Sequence, residues 1–144
     1  MDLYSRKIIA WVLTKDMTAQ SVLEVIKTAK QRRNIQKPLV IHSDRGIQFT
    51  SKEYRELTEK MKRSYSKKGT PWDNACIESF HALIKREWLN RYKIWDYQQA
   101  KRLIFEYIET FYNTIRIHGH CDYLSPDEYE KEYYANQIKQ LNLN

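Results

Sequence analysis

The chain has 144 residues, which is enough for one domain with a core and too few for two of comfortable size. Lys and Arg outnumber Asp and Glu by 25 to 18, and the net charge of +7 favours a polyanionic partner, although a basic protein without such a partner fits the charge equally well. The two cysteines, Cys76 and Cys121, are too few for a disulfide framework, and no apolar run approaches the roughly 18 residues of a membrane span, so we expect a soluble intracellular protein.

The first two predicted elements are a strand and a helix. Residues 8–13, IIAWVL, are continuously apolar, which is typical of a strand that is buried on both faces and needs a neighbour on each side. From Thr18 onward, apolar residues recur at helical spacing, and basic residues gather at the C-terminal end, as the helix dipole favours. The apolar positions of this amphipathic helix are Val22, Val25, Ile26 and Ala29.

An aspartate follows the second predicted strand. This strand, residues 39–41, begins after Pro38 and leads into His42, Ser43 and Asp44. Open α/β sheets bind their ligands at the carboxyl ends of the strands, so Asp44 lies where a functional acid is expected. The alternative is that Asp44 only forms a turn after the strand.

The next segment is predicted to contain a helix, an edge strand and a loop. Thr50 and Glu53 have the spacing of a capping box. The buried stripe of the helix that they start is Tyr54, Leu57 and Met61. Residues 62–72 carry several Lys and Arg around a Gly and a Pro, which predicts a short edge strand at 63–65 and then a mobile basic loop. The order strand, helix, strand, helix predicts a parallel α/β arrangement.

A second acid lies in the helix after this loop. Asp73 is a good N-cap, which places Glu78 in the early turns, where the helix dipole alone would also stabilise a glutamate. If Glu78 faces Asp44, the two carboxylates can hold a divalent cation such as Mg²⁺ through hard oxygen ligands. Phosphoryl transfer on nucleic acid is therefore the leading hypothesis. The predicted core stripe of this helix is Ile77, Phe80, Ile84 and Trp88.

Two helices and a polar tail complete the chain. Asp96 is predicted to start a long helix with an unbroken apolar stripe. This stripe is Ala100, Leu103, Ile104, Tyr107, Ile108, Phe111 and Ile115. An N-cap serine, a proline at the first position and a capping-box acid then start a short helix that ends at Tyr134. These three residues are Ser125, Pro126 and Glu128.

Three separated motifs resemble those of one known family. They are HSDRGIQFTS from residue 42, DNACIESFHALIKRE from residue 73 and YNTIRIHGHCDYLSPDEYE from residue 112, and they occur in the family's order. Together with DLYSRKIIAW near the start, they resemble the catalytic core of bacterial insertion-sequence transposases, which are related to retroviral integrases. The resemblance implies an α/β fold of the RNase H-like (integrase core) type. It also implies a triad of two aspartates and one glutamate that holds two Mg²⁺ or Mn²⁺ ions.

The resemblance carries over to individual residues. Asp44 matches the second aspartate of the triad, Glu78 matches the glutamate, and Lys85 matches a basic residue that lies near the DNA in the family. Two fewer residues separate Asp44 from Glu78 than is usual in the family, and we place this shortening between Met61 and Ser64.

The second departure from the family is at the front of the chain. The family's first catalytic aspartate lies on the strand before the one that ends DLYSR, and this chain begins past that strand. We therefore expect a catalytic core over residues 1–135 that lacks its N-terminal part, with an incomplete N-terminal sheet, C-terminal helices and a polar tail at residues 136–144. The unpaired apolar edge of run 8–13 would promote self-association.

These features predict the C-terminal part of a transposase that cuts and joins DNA in the bacterial cytoplasm, near the nucleoid, and that is inactive alone. Asp44 and Glu78 would bind the metal, and Trp72 and Tyr65 could stack on bases. The residues expected to contact the phosphates of transposon ends and target DNA are Arg63, Lys67, Lys68 and Lys85. The alternative is a non-catalytic fragment that binds DNA or full-length transposase and regulates it. A nuclease of the same fold is disfavoured by the C-terminal SPDEY motif.

A structural zinc site is the weakest alternative in the chain. His118, His120 and Cys121 are close in sequence, but no fourth ligand is evident. We expect Arg116 and His118 to form hydrogen bonds with neighbouring elements instead, as the matching family positions suggest.

Overall fold

The computed structural model of the protein describes residues 1–33 and 39–142. The strand start predicted at Pro38 lies outside these residues. The chain divides into two compact units, one formed by Ile9–Glu78 and the other by Met1–Ile8 together with Ser79–Asn144. The helices of the described residues are α1 (Ala19–Arg32), α2 (Lys52–Leu57), α3 (Ala75–Glu87), α4 (Tyr97–Phe105) and α5 (Pro126–Leu141), and the strands are β1 (Val40–Ser43) and β2 (Lys62–Tyr65).

The predicted amphipathic helix of the first unit is confirmed as α1. The Thr18 side chain is its N-cap and accepts a hydrogen bond from the Ser21 N–H at 3.2 Å. Leu23 and Ile26 are its buried residues, and together with Tyr54 from α2 they form the core of this unit. The basic residues of the last turn lie where the negative end of the helix dipole favours them.

The sheet in the described residues has two parallel strands. β1 and β2 pair from Val40 opposite Lys62 to Ser43 opposite Tyr65, and α2 forms the connection between them, which confirms the predicted parallel arrangement of this unit. The predicted start of α2 is shifted by one residue. Ser51 is the N-cap and accepts from the Tyr54 N–H at 3.1 Å, whereas the Thr50 hydroxyl donates to the Ile47 carbonyl.

The predicted doubly buried strand at residues 8–13 is wrong. Within the part of the chain that the structure describes, no strand is assigned to this run, and residues 9–13 are only half-buried. Ile8 is buried, but its backbone is bound by a side chain. Its N–H donates to Asn113 Oδ1 at 2.9 Å, and its carbonyl accepts from Asn113 Nδ2 at 3.1 Å. An asparagine amide thus satisfies this backbone in place of a neighbouring strand.

The second unit is built on aromatic side chains. Phe80 of α3 packs edge to face on Tyr112 at 4.9 Å between ring centroids, and it also contacts Tyr107. Trp88, which follows α3, stacks on Phe111 at 6.0 Å. Phe80 and Ile84 are buried as the predicted stripe of α3 requires. Aromatic pairs in these geometries add stability beyond the area that they bury.

The predicted continuous helix after Asp96 is interrupted by a π-helix. α4 has the predicted Asp96 cap, but residues Glu106–Tyr112 form a π-helix, and the Asn113 N–H donates to the Ile108 carbonyl five residues back. A π-turn holds more residues than an α-turn and therefore rotates the positions that follow. As a result Tyr112 is buried at 2% exposure and Ile115, which the stripe predicted as core, is 63% exposed.

The last helix is longer than predicted. The Ser125 hydroxyl accepts from the Glu128 N–H, and the Glu128 carboxylate accepts from the Ser125 N–H at 2.9 Å, which confirms the predicted capping box. α5 continues to Leu141, past the predicted end at Tyr134, with exposed side chains over residues 131–141. No helix of the described residues has the length and apolar character needed to cross a membrane.

Candidate functional site

Asp44 lies directly after the last residue of β1, as predicted. Its side chain is exposed, and Oδ1 accepts a hydrogen bond from the Gly46 N–H at 2.8 Å. This bond holds the turn that follows the strand, so the turn-forming alternative is part of what Asp44 does. The second carboxylate oxygen accepts no hydrogen bond from the described residues and remains available to a ligand.

His42 joins the two strands at the same end of the sheet. It stands opposite Ser64 in the register, and its Nδ1 lies 3.0 Å from Ser64 Oγ while its Nε2 lies 3.2 Å from Ser66 Oγ. The Ser66 N–H donates to the Ser43 carbonyl at 3.0 Å, and Arg45 Nε donates to the Ser66 carbonyl at 3.0 Å. The pairing of the strands therefore continues past β2 to the first residue of the basic loop.

Asp73 closes the basic loop instead of capping α3. Its Oδ2 accepts from the Lys67 N–H at 2.9 Å and lies 2.7 Å from Thr70 Oγ. A 3-10 turn, Pro71–Asn74, intervenes, so that α3 begins at Ala75 and the predicted N-cap role is wrong. The Lys67 amide and the Thr70 hydroxyl, which favour the charged form, hold the pKa of Asp73 below its ordinary value. The loop predicted as mobile is thus tied at both ends.

Glu78 lies in the first turn of α3. Its side chain is exposed, and within the described residues its carboxylate makes no hydrogen bond or ion pair. The ammonium groups of Lys67 and Lys68 are exposed and form no salt bridge with any carboxylate in the described part of the chain. The same is true of Lys85, which lies in the other unit. These charges are not used to hold the fold.

Arg63 differs from the other predicted basic contacts. Its Nη1 donates to the Arg55 carbonyl at 3.2 Å, and it lies 3.4 Å from Thr58 Oγ1. These acceptors are at the C-terminal end of α2, where a cation satisfies carbonyls that lack a helical partner. Arg63 therefore has a structural task that the lysines lack.

Asp44 and Glu78 are the acidic side chains expected to bind a divalent cation. The described residues contain no group of three or more His, Cys, Asp or Glu side chains placed to hold a metal ion. Asp44 and Glu78 are nevertheless exposed oxygen donors without cationic partners, and Mg²⁺ commonly binds to one or two carboxylates while it retains several waters. The donor chemistry fits Mg²⁺ or Mn²⁺, held by at most two side chains of these residues.

The His118, His120 and Cys121 group is engaged in packing. Cys121 is buried and its Sγ lies 3.4 Å from the Ser5 carbonyl oxygen, while His120 Nε2 lies 3.2 Å from the Tyr4 carbonyl oxygen. His118 packs edge to face on Tyr112 at 4.8 Å. The three side chains thus contact different partners within this unit.

Arg116 forms the hydrogen bonds that were predicted for it. Nε and Nη2 donate to the two carboxylate oxygens of Glu87, each at 2.8 Å. Burial and the neighbouring Arg116 charge lower the pKa of His118 to about 4, so the imidazole is neutral at pH 7.

His42, Ser66 and the loop-closing role of Asp73 support this site and were not predicted. His42 and Ser66 could have been found from the alternation of strands, since His42 and Asp44 are two residues apart and Ser64 and Ser66 repeat the spacing on the paired strand. The role of Asp73 could not be separated from an N-cap, because the same side chain suits both tasks.

Two family models match the chain. Both are described as integrase core domains, and they match residues 1–71 and residues 59–126. Between them they cover residues 1–126, which include all of the candidate site residues.

The chain is also similar to insertion-sequence transposases. It is 38% identical over 133 residues to the transposase for insertion sequence element IS904 of Lactococcus lactis, which covers 91% of this chain and 53% of that protein. It is 34% identical over 137 residues to transposase InsF for insertion sequence IS3A of Escherichia coli, with coverages of 94% and 48%. The chain thus spans about half the length of these relatives.

A solved structure has the same fold. The catalytic core domain of BIV integrase superimposes with a TM-score of 0.61 over 92% of this chain and 84% of that chain, at 19% sequence identity. This similarity confirms the predicted RNase H-like fold.

Proposed function

The chain belongs to the integrase core family of insertion-sequence transposases, and from this premise we propose that it supplies part of a site that cuts and joins DNA by metal-dependent phosphoryl transfer. The observation that carries the proposal is the position and exposure of two carboxylates, those of Asp44 and Glu78. Asp44 follows the C-terminal end of a parallel strand and Glu78 lies in the first turn of α3, and both carboxylates are exposed and unpaired with any cation of the described residues.

Asp44 and Glu78 would hold Mg²⁺ or Mn²⁺. Bound there, the cation would supply charge neutralisation for the oxygens that enter and leave the phosphorus. The chain's own residues prepare the position. The Gly46 amide orients one oxygen of Asp44, and His42 fixes the strand ends through Ser64 and Ser66.

The basic residues would position the DNA. Lys67 and Lys68 lie on a loop that Asp73 ties closed, so their ammonium groups extend from a defined backbone and form no salt bridge with a carboxylate of the described residues. Contacts to phosphates fix the register of a protein on DNA but carry no sequence information. We propose the same contact for Lys85 in the other unit and a smaller direct contribution for Arg63, which is occupied at the end of α2.

The chain alone is proposed to be inactive. Two-metal phosphoryl transfer needs more oxygen ligands than two side chains offer, and the described residues bring no third acid or histidine to a metal-binding cluster. The alternative function is DNA binding, or binding to full-length transposase subunits, without cleavage. The unpaired lysines and the net charge of +7 support this alternative because neither depends on the metal.

Two measurements test the proposal. The first is Mn²⁺ binding by the chain, followed by paramagnetic relaxation of water protons. Asp44→Asn and Glu78→Gln should each weaken Mn²⁺ binding, whereas Glu24→Gln, an exposed acid on α1, should not. Equal Mn²⁺ affinity in all four proteins would rule out this acid pair as the site.

The second measurement is duplex DNA binding as a function of salt. The double variant Lys67→Ala/Lys68→Ala should reduce the slope of log affinity against log salt by roughly 2, since each phosphate contact contributes about 0.9. Lys15→Ala/Lys27→Ala removes the same charge from other exposed positions and should leave the slope close to that of the parent chain. If both double variants change the slope equally, the effect of Lys67 and Lys68 comes from net charge and not from a localised DNA-binding site.

A further inference from the structure

An exposed aromatic segment, residues 92–97, runs from the end of the short 3-10 turn Leu89–Arg91 to the first residue of α4. Its large side chains face solvent, and Trp95 is 73% exposed. The other exposed large side chains of the segment are Tyr92, Ile94 and Tyr97. Contiguous exposed apolar side chains are typical of interaction sites.

The backbone of this segment is held in one conformation. The Gln99 side chain accepts from the Trp95 N–H at 2.7 Å and donates to the Lys93 carbonyl at 3.3 Å, so one amide bonds on both sides of Ile94. Asp96 caps α4 through the Gln99 N–H at 2.7 Å. The Tyr92 ring packs at a tilt against the half-buried Trp88, with 6.1 Å between the ring centroids. The Trp95 ring is therefore presented to solvent from a fixed base, which lowers the entropy lost on binding.

The charges around the segment select the type of partner. The Lys93 ammonium lies 4.0 Å from the centre of the Trp95 ring and covers one of its faces, and no other ring of the described residues packs on Trp95. Exposed Arg91 and Lys101 add positive charge, whereas Arg102 pairs with Glu106 at 3.8 Å and Asp96 is used as a cap. Protein interfaces are depleted in lysine at their centres, whereas single-stranded nucleic acids bind where aromatic rings alternate with cations.

We propose that residues 92–97 form a stacking platform for unpaired bases of a nucleic acid strand, with one base on the open face of Trp95 and the backbone phosphates near Lys93 and Arg91. Bases within a duplex have both faces covered by their neighbours, so this surface prefers single-stranded or frayed DNA to duplex. The inference is independent of the acid pair and of the loop lysines in the other unit.

The test is fluorescence anisotropy with a labelled oligothymidine of about 15 nucleotides and with a hairpin duplex, since single-strand sites span roughly 4–16 nucleotides. Trp95→Ala should weaken oligothymidine binding by about 5- to 150-fold, because one stacked base contributes about 1–3 kcal/mol. Trp95→Phe should retain most of the affinity. Tyr134→Ala, which removes an exposed aromatic from α5, should have no effect on either oligonucleotide.

Different outcomes separate this inference from the proposed function. Lys67→Ala/Lys68→Ala should lower the affinity for the hairpin duplex, and in this background Trp95→Ala should still weaken oligothymidine binding. Trp95→Ala alone should leave the affinity for the duplex unchanged. The inference is overturned if the parent chain does not bind the single strand, or if Trp95→Ala binds it as the parent does. It is also overturned if Trp95→Ala only converts an oligomer to a monomer in sedimentation, which would make the platform a contact between copies.

Discussion

Arg116 binds Glu87 through two hydrogen bonds of 2.8 Å, one to each carboxylate oxygen. The Tyr107 hydroxyl donates to the same carboxylate at 2.8 Å, so the π-helix, the end of α3 and the segment after the π-helix meet at one acid. The Arg116 hydrogen bonds hold the pKa of Glu87 below its ordinary value, and burial raises the pKa of Tyr107. Hydrogen bonds to the charged Glu87 carboxylate therefore stabilise the second unit.

Glu87→Gln is expected to lower the free energy of unfolding at pH 7 by about 2 kcal/mol, the scale of hydrogen bonds to a charged group. The folded pKa of Glu87 is depressed, so its contribution is complete above the ordinary glutamate pKa of about 4.3 and is lost as pH falls through the folded pKa. Urea unfolding of both proteins from pH 7 to pH 3 measures this. Glu132→Gln, an exposed acid on α5, is the control. A gap between parent and Glu87→Gln that does not narrow in acid would contradict the prediction.

His118→Phe is expected to remove a loss of stability that the parent chain shows between about pH 6.5 and pH 4. The folded pKa of His118 is about 4, so below the unfolded pKa of about 6.5 the unfolded chain takes up a proton first and the folded state loses stability. The groups that face the imidazole are Arg116, Glu87, Arg6, His120 and Tyr112. The expected change in the free energy of unfolding across this window is about 3 kcal/mol, at about 1.4 kcal/mol for each pH unit. The same titration of His120→Phe, whose side chain is exposed, should resemble the parent.

Asn113→Asp is expected to destabilise the protein strongly, although the two side chains are nearly equal in size. Asn113 is 3% exposed and serves both the N–H and the carbonyl of Ile8, and a carboxylate could accept from the first but would repel the second. We expect a loss of about 2–4 kcal/mol for Asp, and a somewhat smaller loss for Ala, from unsatisfied buried groups. Thermal unfolding together with amide exchange at Ile8 checks this. Asn90→Asp, at an exposed position, serves as the control, and equal effects at the two sites would be incompatible with the prediction.

Asp73→Ala is expected to open the basic loop without unfolding the first unit. The Lys67 N–H loses its acceptor, so its hydrogen exchange should accelerate strongly, while amides in α1 should keep their protection. Asp16→Ala, another exposed acid of the same unit, should leave the exchange at Lys67 as it is. Unchanged exchange at Lys67 in Asp73→Ala would show that the loop is held by other contacts.

The parts of the fold that sequence patterns predicted are those decided by local chemistry. The helix that begins near Thr18 and the Ser125 capping box depend only on residues a few positions apart, and both predictions are confirmed. The π-helix could not be predicted because the apolar stripe was read with a constant α-helical period. That period places Ile115 on the buried face. Run 8–13 is apolar enough for a strand, but strand formation depends on a partner, and at Ile8 the partner is the amide of Asn113.

The candidate site shows the same division. Local patterns predicted Asp44 at a strand end and Glu78 in the early turns of a helix, and the structure has Asp44 directly after β1 and Glu78 in the first turn of α3. His42 and Asp73 act through residues that come close only when β1 and β2 pair and the loop folds back. Their roles depend on tertiary contacts that no spacing rule encodes. The metal-binding and DNA-binding roles of these residues remain predictions.

The π-helix makes the chain length between α4 and Asn113 a determinant of how the N-terminal residues are held. Two threonine hydroxyls accommodate the wide turn, as Thr110 donates to the Glu106 carbonyl at 2.5 Å and Thr114 to the Thr110 carbonyl at 2.8 Å. Removal of one residue within Glu106–Tyr112 would let the flanking turns rejoin as an ordinary α-helix with both ends facing as they do now. Addition of one residue would swing Asn113 by roughly 100° away from Ile8. The segment therefore tolerates shortening but not lengthening, an asymmetry that no comparison of amino-acid types at single positions would reveal.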